Sequence, residues 1–224
     1  RPDDPHQPRT SLICLENTHN MCGGRVITAE QIAPVAQAAR EHRLKMHLDG
    51  ARLFHAEVAL GIPAAQLAAE FDSVSFCLSK GLSCPVGSLL CGSAEQIAEG
   101  RRLRKLLGGG MRQVGVLAAP GRVALSQGID RLAEDHRRCQ QLAEQLALLP
   151  GARIEPNPPQ SNILFVAFDH FDEAGYQQME ADLGALGVRV LAIGERGLRA
   201  VLHRQIDDEG LQRAIEAFRQ IRSI

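Results

Sequence analysis

The sequence predicts an α/β protein built on a mostly parallel sheet, continued by a smaller α+β domain. Two patterns carry this. Between residues 11 and 91, short apolar runs alternate with segments whose apolar residues recur at helical spacing, the arrangement that packs helices against a parallel sheet. After Pro150-Gly151 the pattern changes, and a second series of strand and helix signals begins. Apolar residues make up 45% of the 224, enough to bury a core.

The elements follow in order. Residues 11–16 form an apolar run that reads as a buried strand. Thr28 with Gln31 three positions on is a capping-box pattern, and 32–43 continues it at helical spacing. A short strand is expected over 45–49, ending at Gly50, then helices over 52–60 and 63–71. Strands are expected over 73–79 and 86–91. Ser93 caps a helix running to about 107, which Gly108-Gly109-Gly110 breaks. Helices follow from Val114, and 130–149 is strongly amphipathic. Beyond Gly151 the expectation is strand 163–168, helix 172–186, strands 188–192 and 198–202, and helix 207–224. The stretch 128–151 reads as the passage into the smaller domain.

Bulk properties narrow the function. A formal net charge of −1 argues against a nucleic-acid or polybasic membrane surface. No apolar run approaches the roughly 20 residues that span a bilayer. Arg1-Pro2-Asp3-Asp4-Pro5 has acids and prolines and no apolar signal core, so no secretion signal is expected there. Six cysteines contain no Cys-x-x-Cys pair and read as reduced, in a cytoplasmic setting. The even spacing of Cys77, Cys84 and Cys91 could suggest a metal, but chance placement on or near buried strands explains it, and no metal is expected.

Lysine occurs only at 45, 80 and 105; the other permanent cations are arginines. Lys80 follows an apolar strand in Phe76-Cys77-Leu78-Ser79-Lys80-Gly81-Leu82. Ligands bind at the carboxyl ends of strands in open α/β sheets, and a lysine whose charge is weakened by partial burial and nearby cations condenses with an aldehyde. A solvated loop lysine fits the same spacing. Asp49 closes a different short strand, and the interval to Lys80 leaves room for a helical crossover between parallel neighbours. The pair suits a cofactor such as pyridoxal phosphate, whose aldehyde needs an amine and whose ring nitrogen needs a carboxylate. Asp49 could equally cap the following helix. Arg112 and Lys105 flank the triple glycine, where a phosphate or carboxylate is one partner and solvent the other. His19 follows the first strand, as a proton carrier or a hydrogen-bonded loop histidine. Arg199 lies in the late strand, to clamp a substrate carboxylate or to cover a surface.

Together these blocks resemble one family. Glu16-Asn17-Thr18-His19-Asn20, Gly23-Gly24-Arg25, His47-Leu48-Asp49-Gly50-Ala51-Arg52, Cys77-Leu78-Ser79-Lys80-Gly81-Leu82, Pro85-Val86-Gly87-Ser88 and Gly108-Gly109-Gly110-Met111-Arg112-Gln113 are similar to the low-specificity L-threonine aldolases, fold-type I pyridoxal 5'-phosphate (PLP) enzymes of the β-eliminating lyase superfamily. The resemblance is densest over 12–119. It implies a PLP-binding large domain, of which 1–127 is the C-terminal part, and a linking helix with a small C-terminal domain over 128–224. It implies Lys80 as the Schiff-base lysine, Asp49 at the pyridine nitrogen and Arg52 near the phenolate oxygen. Lys105 and Arg112 fall near the phosphate, His19 near the substrate β-hydroxyl, and Arg199 on its carboxylate. The implied assembly is a homotetramer with shared active sites.

The same resemblance implies a preceding family portion that carries a Gly-Thr phosphate turn and a ring-stacking histidine, and that supplies further sheet strands. An edge or face of the sheet is therefore expected to be bare. The implied reaction is retro-aldol cleavage of threonine or allo-threonine to glycine and an aldehyde. The substrate amine displaces Lys80, and His19 or a water takes the hydroxyl proton. The competing readings are a catalytically incompetent assembly module, and β-elimination or racemisation on the same cofactor.

Overall fold

The computed structural model describes residues 4–221. The first three residues of the leader reading and the last three of the expected C-terminal helix lie outside that span. The chain divides into two compact units. One holds Ile27–Gln127 with the residues up to Asn17; the other holds Thr18–Val26 with the residues from Gly128 on. The sequence placed 18–26 with the first domain; they pack instead within the second unit, where the Gly24 carbonyl accepts from the Ser161 hydroxyl and the Val26 N–H donates to Gln160.

In the first unit the elements are β1 (Leu12–Glu16), α1 (Ala29–Glu41), β2 (Lys45–Asp49), α2 (Leu53–Leu60), α3 (Ala64–Leu67), β3 (Ser73–Cys77), β4 (Ser88–Gly92), α4 (Ala94–Leu106) and α5 (Gly115–Gln127). The sheet order is β1-β2-β3-β4. β1, β2 and β3 run parallel, with Glu16 beside Asp49 and Asp49 beside Ser75; β4 returns antiparallel. Helical crossovers make the parallel pairs possible. Alternation along β2 and β3 buries Met46, Leu48, Val74 and Phe76. Ala36 and Ala39 of α1 pack on Met46, with Ile13 and Leu15 beside them. The Thr28–Gln31 capping box starts α1.

β4 is exposed along its whole length, and α4 buries no residue. Leu106 and Leu107 are 80% and 83% exposed. Cys91, expected on or near a buried strand, lies on this exposed one.

In the second unit α6 (Leu132–Leu146), α7 (Glu173–Ala185) and α8 (Asp208–Gln220) accompany β5 (Ala152–Glu155), β6 (Ile163–Phe168), β7 (Leu191–Ala192) and β8 (Leu198–Val201). The sheet is antiparallel in order β5-β6-β8-β7. β6 is buried at five of six positions, and its Leu164, Val166 and Phe168 join Leu142, Met179, Leu183 and Phe218 from the three helices in one core. The Tyr176 hydroxyl donates to the Phe168 carbonyl at 3.0 Å and accepts from the Phe168 N–H at 2.9 Å, so the buried phenol is satisfied.

Three elements depart from expectation. The helix expected over 63–71 stops at Leu67, because Ala69 and Phe71 bond three residues back and tighten the chain into turns before β3. The strand expected over 188–192 shrinks to Leu191–Ala192. Val188 is spent on closing α7: its N–H bonds Leu183 at 2.9 Å while Gly187, at φ +81°, bonds Gly184 at 3.0 Å. β5 carries too short an apolar alternation to stand out in the sequence.

No helix among the described residues is long and apolar enough to cross a membrane.

Candidate active site

The carboxyl ends of β1, β2 and β3 bring one group of the expected residues to a single sheet edge. Asp49 is the last residue of β2, and its Oδ1 accepts the Ala51 N–H at 3.0 Å, so it turns the chain toward α2 as well as ending the strand. Backbone bonds link this edge: Asn17 N–H to the Asp49 carbonyl at 3.0 Å, and Gly50 N–H to the Ser75 carbonyl at 2.7 Å. A β-carbon on Gly50 would lie 2.9 Å from that carbonyl, so only glycine permits the approach.

Arg52 precedes α2 and is half-buried. Burial draws its guanidinium below its usual value, opposed by the nearby charges of Glu16, Cys77 and Asp49. Those three residues end β1, β3 and β2, so the guanidinium sits among the strand ends.

Lys80 lies in the loop that joins β3 to β4. Leu78 N–H bonds the Gly87 carbonyl at 2.9 Å, Ser83 N–H the Lys80 carbonyl at 2.8 Å, and Cys84 N–H the Leu78 carbonyl at 3.0 Å. These bonds fix the loop, and Lys80 stands three residues after β3 ends. Lys80 itself is exposed, against the partial burial anticipated from its chemistry. Lys105 and Arg112 are also exposed, and neither makes a side-chain hydrogen bond or ion pair among the described residues. The Lys105 side chain lies along Gly110, where a β-carbon would come within 2.8 Å of its Cδ. Arg112 stands three residues before α5, in the turn.

The second unit gathers the other group. His19 is half-buried and its backbone is locked to Arg25, with His19 N–H to the Arg25 carbonyl and Gly24 N–H to the His19 carbonyl both at 2.9 Å. Arg199 lies mid-β8, between Phe165 of β6 and Leu191 of β7. Its Nη2 donates to Asn20 Oδ1 at 2.6 Å. The segment carrying His19 and the strand carrying Arg199 are therefore one structure, although far apart in the chain.

Asn20 belongs to the Glu16–Asn20 block, yet sequence reasoning assigned it no role, because its partner lies 179 positions away. Glu16 was likewise unassigned; its only sequence signal was its place at the end of an apolar run.

The amine, carboxylate and guanidinium of the first unit form a donor set that fits the aldehyde and ring end of the cofactor implied by the sequence. Lys80 supplies an amine in the loop after β3, Asp49 an exposed carboxylate at a strand end, and Arg52 a half-buried cation.

Low-specificity L-threonine aldolase 1 of Arabidopsis thaliana is 39% identical over 213 residues, covering 95% of this chain and 60% of its own length. The low specificity L-threonine aldolase of Escherichia coli strain K12 is 45% identical over 166 residues, covering 74% of this chain and 48% of its own. This chain thus spans about 60% or less of the curated relatives it matches here. The Leishmania major threonine aldolase structure superposes with a TM-score of 0.76 at 20% identity, over 97% of this chain and 63% of that one. The architecture is that of the fold-type I enzymes. The beta-eliminating lyase family profile matches residues 1–169. The chain belongs to the β-eliminating lyase family.

Proposed function

We propose that this chain is part of a PLP-dependent carbon–carbon lyase that cleaves L-threonine and L-allo-threonine to glycine and an aldehyde. The observation that carries the reading is the shared edge of β2 and β3, where Asp49 ends one strand, Lys80 follows the other, and Arg52 sits among the strand ends. The curated relatives named above support the substrate class.

Bound PLP supplies an electron sink for chemistry at the substrate Cα. Lys80 would hold the cofactor through Nζ. Asp49 would keep its ring nitrogen protonated, and Arg52 would serve its phenolate oxygen. Lys105 and Arg112 would serve its phosphate. Arg199 binds the substrate carboxylate and so selects which Cα bond breaks. His19, directly or through a water, takes the proton from the β-hydroxyl, and the Cα–Cβ bond opens to release the aldehyde. Protonation at Cα then gives glycine. Together these steps place the protein in threonine breakdown or glycine supply.

The working assembly is a homotetramer with shared active sites. The exposed apolar side chains Leu106, Leu107, Met111 and Val116 support it, since a soluble surface rarely leaves so many bare together. A reducing cytoplasm suits six free thiols, three of them exposed.

Glycine and aldehyde release from both threonine diastereomers tests the reaction. Lys80→Ala in the holoenzyme is expected to lower it at least about 10³-fold, the scale of losing a covalent catalyst. Release untouched by that change refutes the assignment. Formation of an α-keto acid from serine would indicate elimination instead, and D-allo-threonine from L-threonine would indicate racemisation. The exposure of Lys80 favours one further reading, an assembly module inactive by itself. A PLP titration that yields no cofactor absorbance change would select it.

A further inference from the structure

We infer that Asn20 is a positioning residue for the substrate carboxylate, acting through Arg199. The inference deepens the reading above and rests on it. An arginine fork binds a carboxylate in two parallel hydrogen bonds only if its plane is set beforehand. Arg199 has a long, rotatable stem and lies on a four-residue strand. The Asn20 amide oxygen, 2.6 Å from Nη2, fixes the outer end of that fork.

Asn20 can do this because its own turn is immobilised. It opens the short turn Asn20–Cys22. The Arg196 guanidinium donates to the Met21 carbonyl, the Ser161 hydroxyl to the Gly24 carbonyl at 2.8 Å, and the Val26 N–H to Gln160 Oε1 at 2.9 Å. Gly23 and Gly24 both hold φ +69°, and a β-carbon would fall 2.4 Å from Pro156 Cδ and 2.1 Å from Ser161 Oγ respectively. Close packing of this kind holds the amide at one place.

Arg196 lies 3.6 Å from the Glu155 carboxylate and stacks over the Phe165 ring at 4.4 Å, so its charge serves the fold. The amide that orients Arg199 is itself neutral. An aspartate at position 20 would orient Arg199 equally well and compete with the substrate for it. The asparagine is therefore matched to an anionic ligand, an α-amino carboxylate.

Equilibrium titrations of the holoenzyme with glycine and with ethanolamine, which lacks the carboxylate, test this. Asn20→Ala is expected to weaken glycine about tenfold, the scale of one charge-assisted hydrogen bond, and to leave ethanolamine within about twofold. Asn20→Asp, nearly isosteric, is expected to weaken glycine at least as much. In an Arg199→Ala background, Asn20→Ala is expected to change glycine affinity less than about twofold, because the two act as one unit. Unchanged glycine affinity in Asn20→Ala, equal loss for both ligands, or additive losses in the cycle would each overturn the inference. Wild-type holoenzyme that fails to bind glycine saturably would overturn both the inference and the function it rests on.

Discussion

The second unit closes on itself, whereas the first leaves much of its apolar surface in water. β6 packs Phe168, Leu164 and Val166 against three helices, and all three are at most 2% exposed. β4 and α4 carry leucines of similar size, yet Leu90, Leu103, Leu106 and Leu107 are all exposed. The two regions do not differ in composition enough to explain this; they differ in what covers them. The lesson is that the second unit is stabilised by its own core, while β4, α4 and α5 leave apolar side chains exposed among the described residues.

The contrast predicts unequal responses to similar substitutions. Phe168→Ala is expected to cost about 3–5 kcal/mol, the range for a buried aromatic truncated to a cavity, and to lower the thermal midpoint of the second unit by several degrees or more. Calorimetry on the variant checks it, and a loss below about 1 kcal/mol would break the comparison.

An intermediate effect comes from pH. Burial pushes His136 of α6 down to about 4 from its ordinary 6.5, with Asp135 opposing only in part. Between those values the unfolded chain takes up a proton that the folded chain refuses. Stability contributed here is therefore complete above about 6.5 and is lost as pH falls toward about 4. The loss is at most about 3 kcal/mol for a shift of this size. Urea unfolding of the wild type and His136→Gln at a series of pH values isolates it: the variant is expected to lose less stability across this window.

The smallest effect is expected at Leu106. Leu106→Gln is expected to change the fold's stability by no more than about 0.5 kcal/mol, as for an exposed site. Leu106→Glu with Leu107→Glu is expected to lower the molecular mass seen by light scattering, through loss of the proposed tetramer. Strong destabilisation of the isolated chain by Leu106→Gln would mean that α4 is buried after all.

Much of the framework was legible in the sequence because local chemistry and final structure agree. The Thr28–Gln31 box starts α1, Asp-Gly ends β2, and the amphipathic stretch near 132–146 is α6. Reasoning from sequence erred where tertiary demands overrode local pattern. Val188 reads as strand but is used to close a helix, and Cys91 reads as core but lies on an uncovered strand. The candidate site was legible in part for the same reason. Asp49 and Lys80 announce themselves through the punctuation at strand ends. The Asn20–Arg199 contact spans 179 positions and leaves no local trace, and the membership of 18–26 in the second unit depends on glycine contacts with Pro156 and Ser161 that only the folded chain reveals.

The central claim is that Lys80 is the amine that holds the cofactor. Borohydride reduction of the PLP-loaded protein, followed by peptide mass spectrometry, reads this directly. The account predicts a phosphopyridoxyl group on the peptide containing Lys80 and its absence from Lys45 and Lys105. Modification at either of those lysines with Lys80 unmodified, or no modification at all, would contradict it.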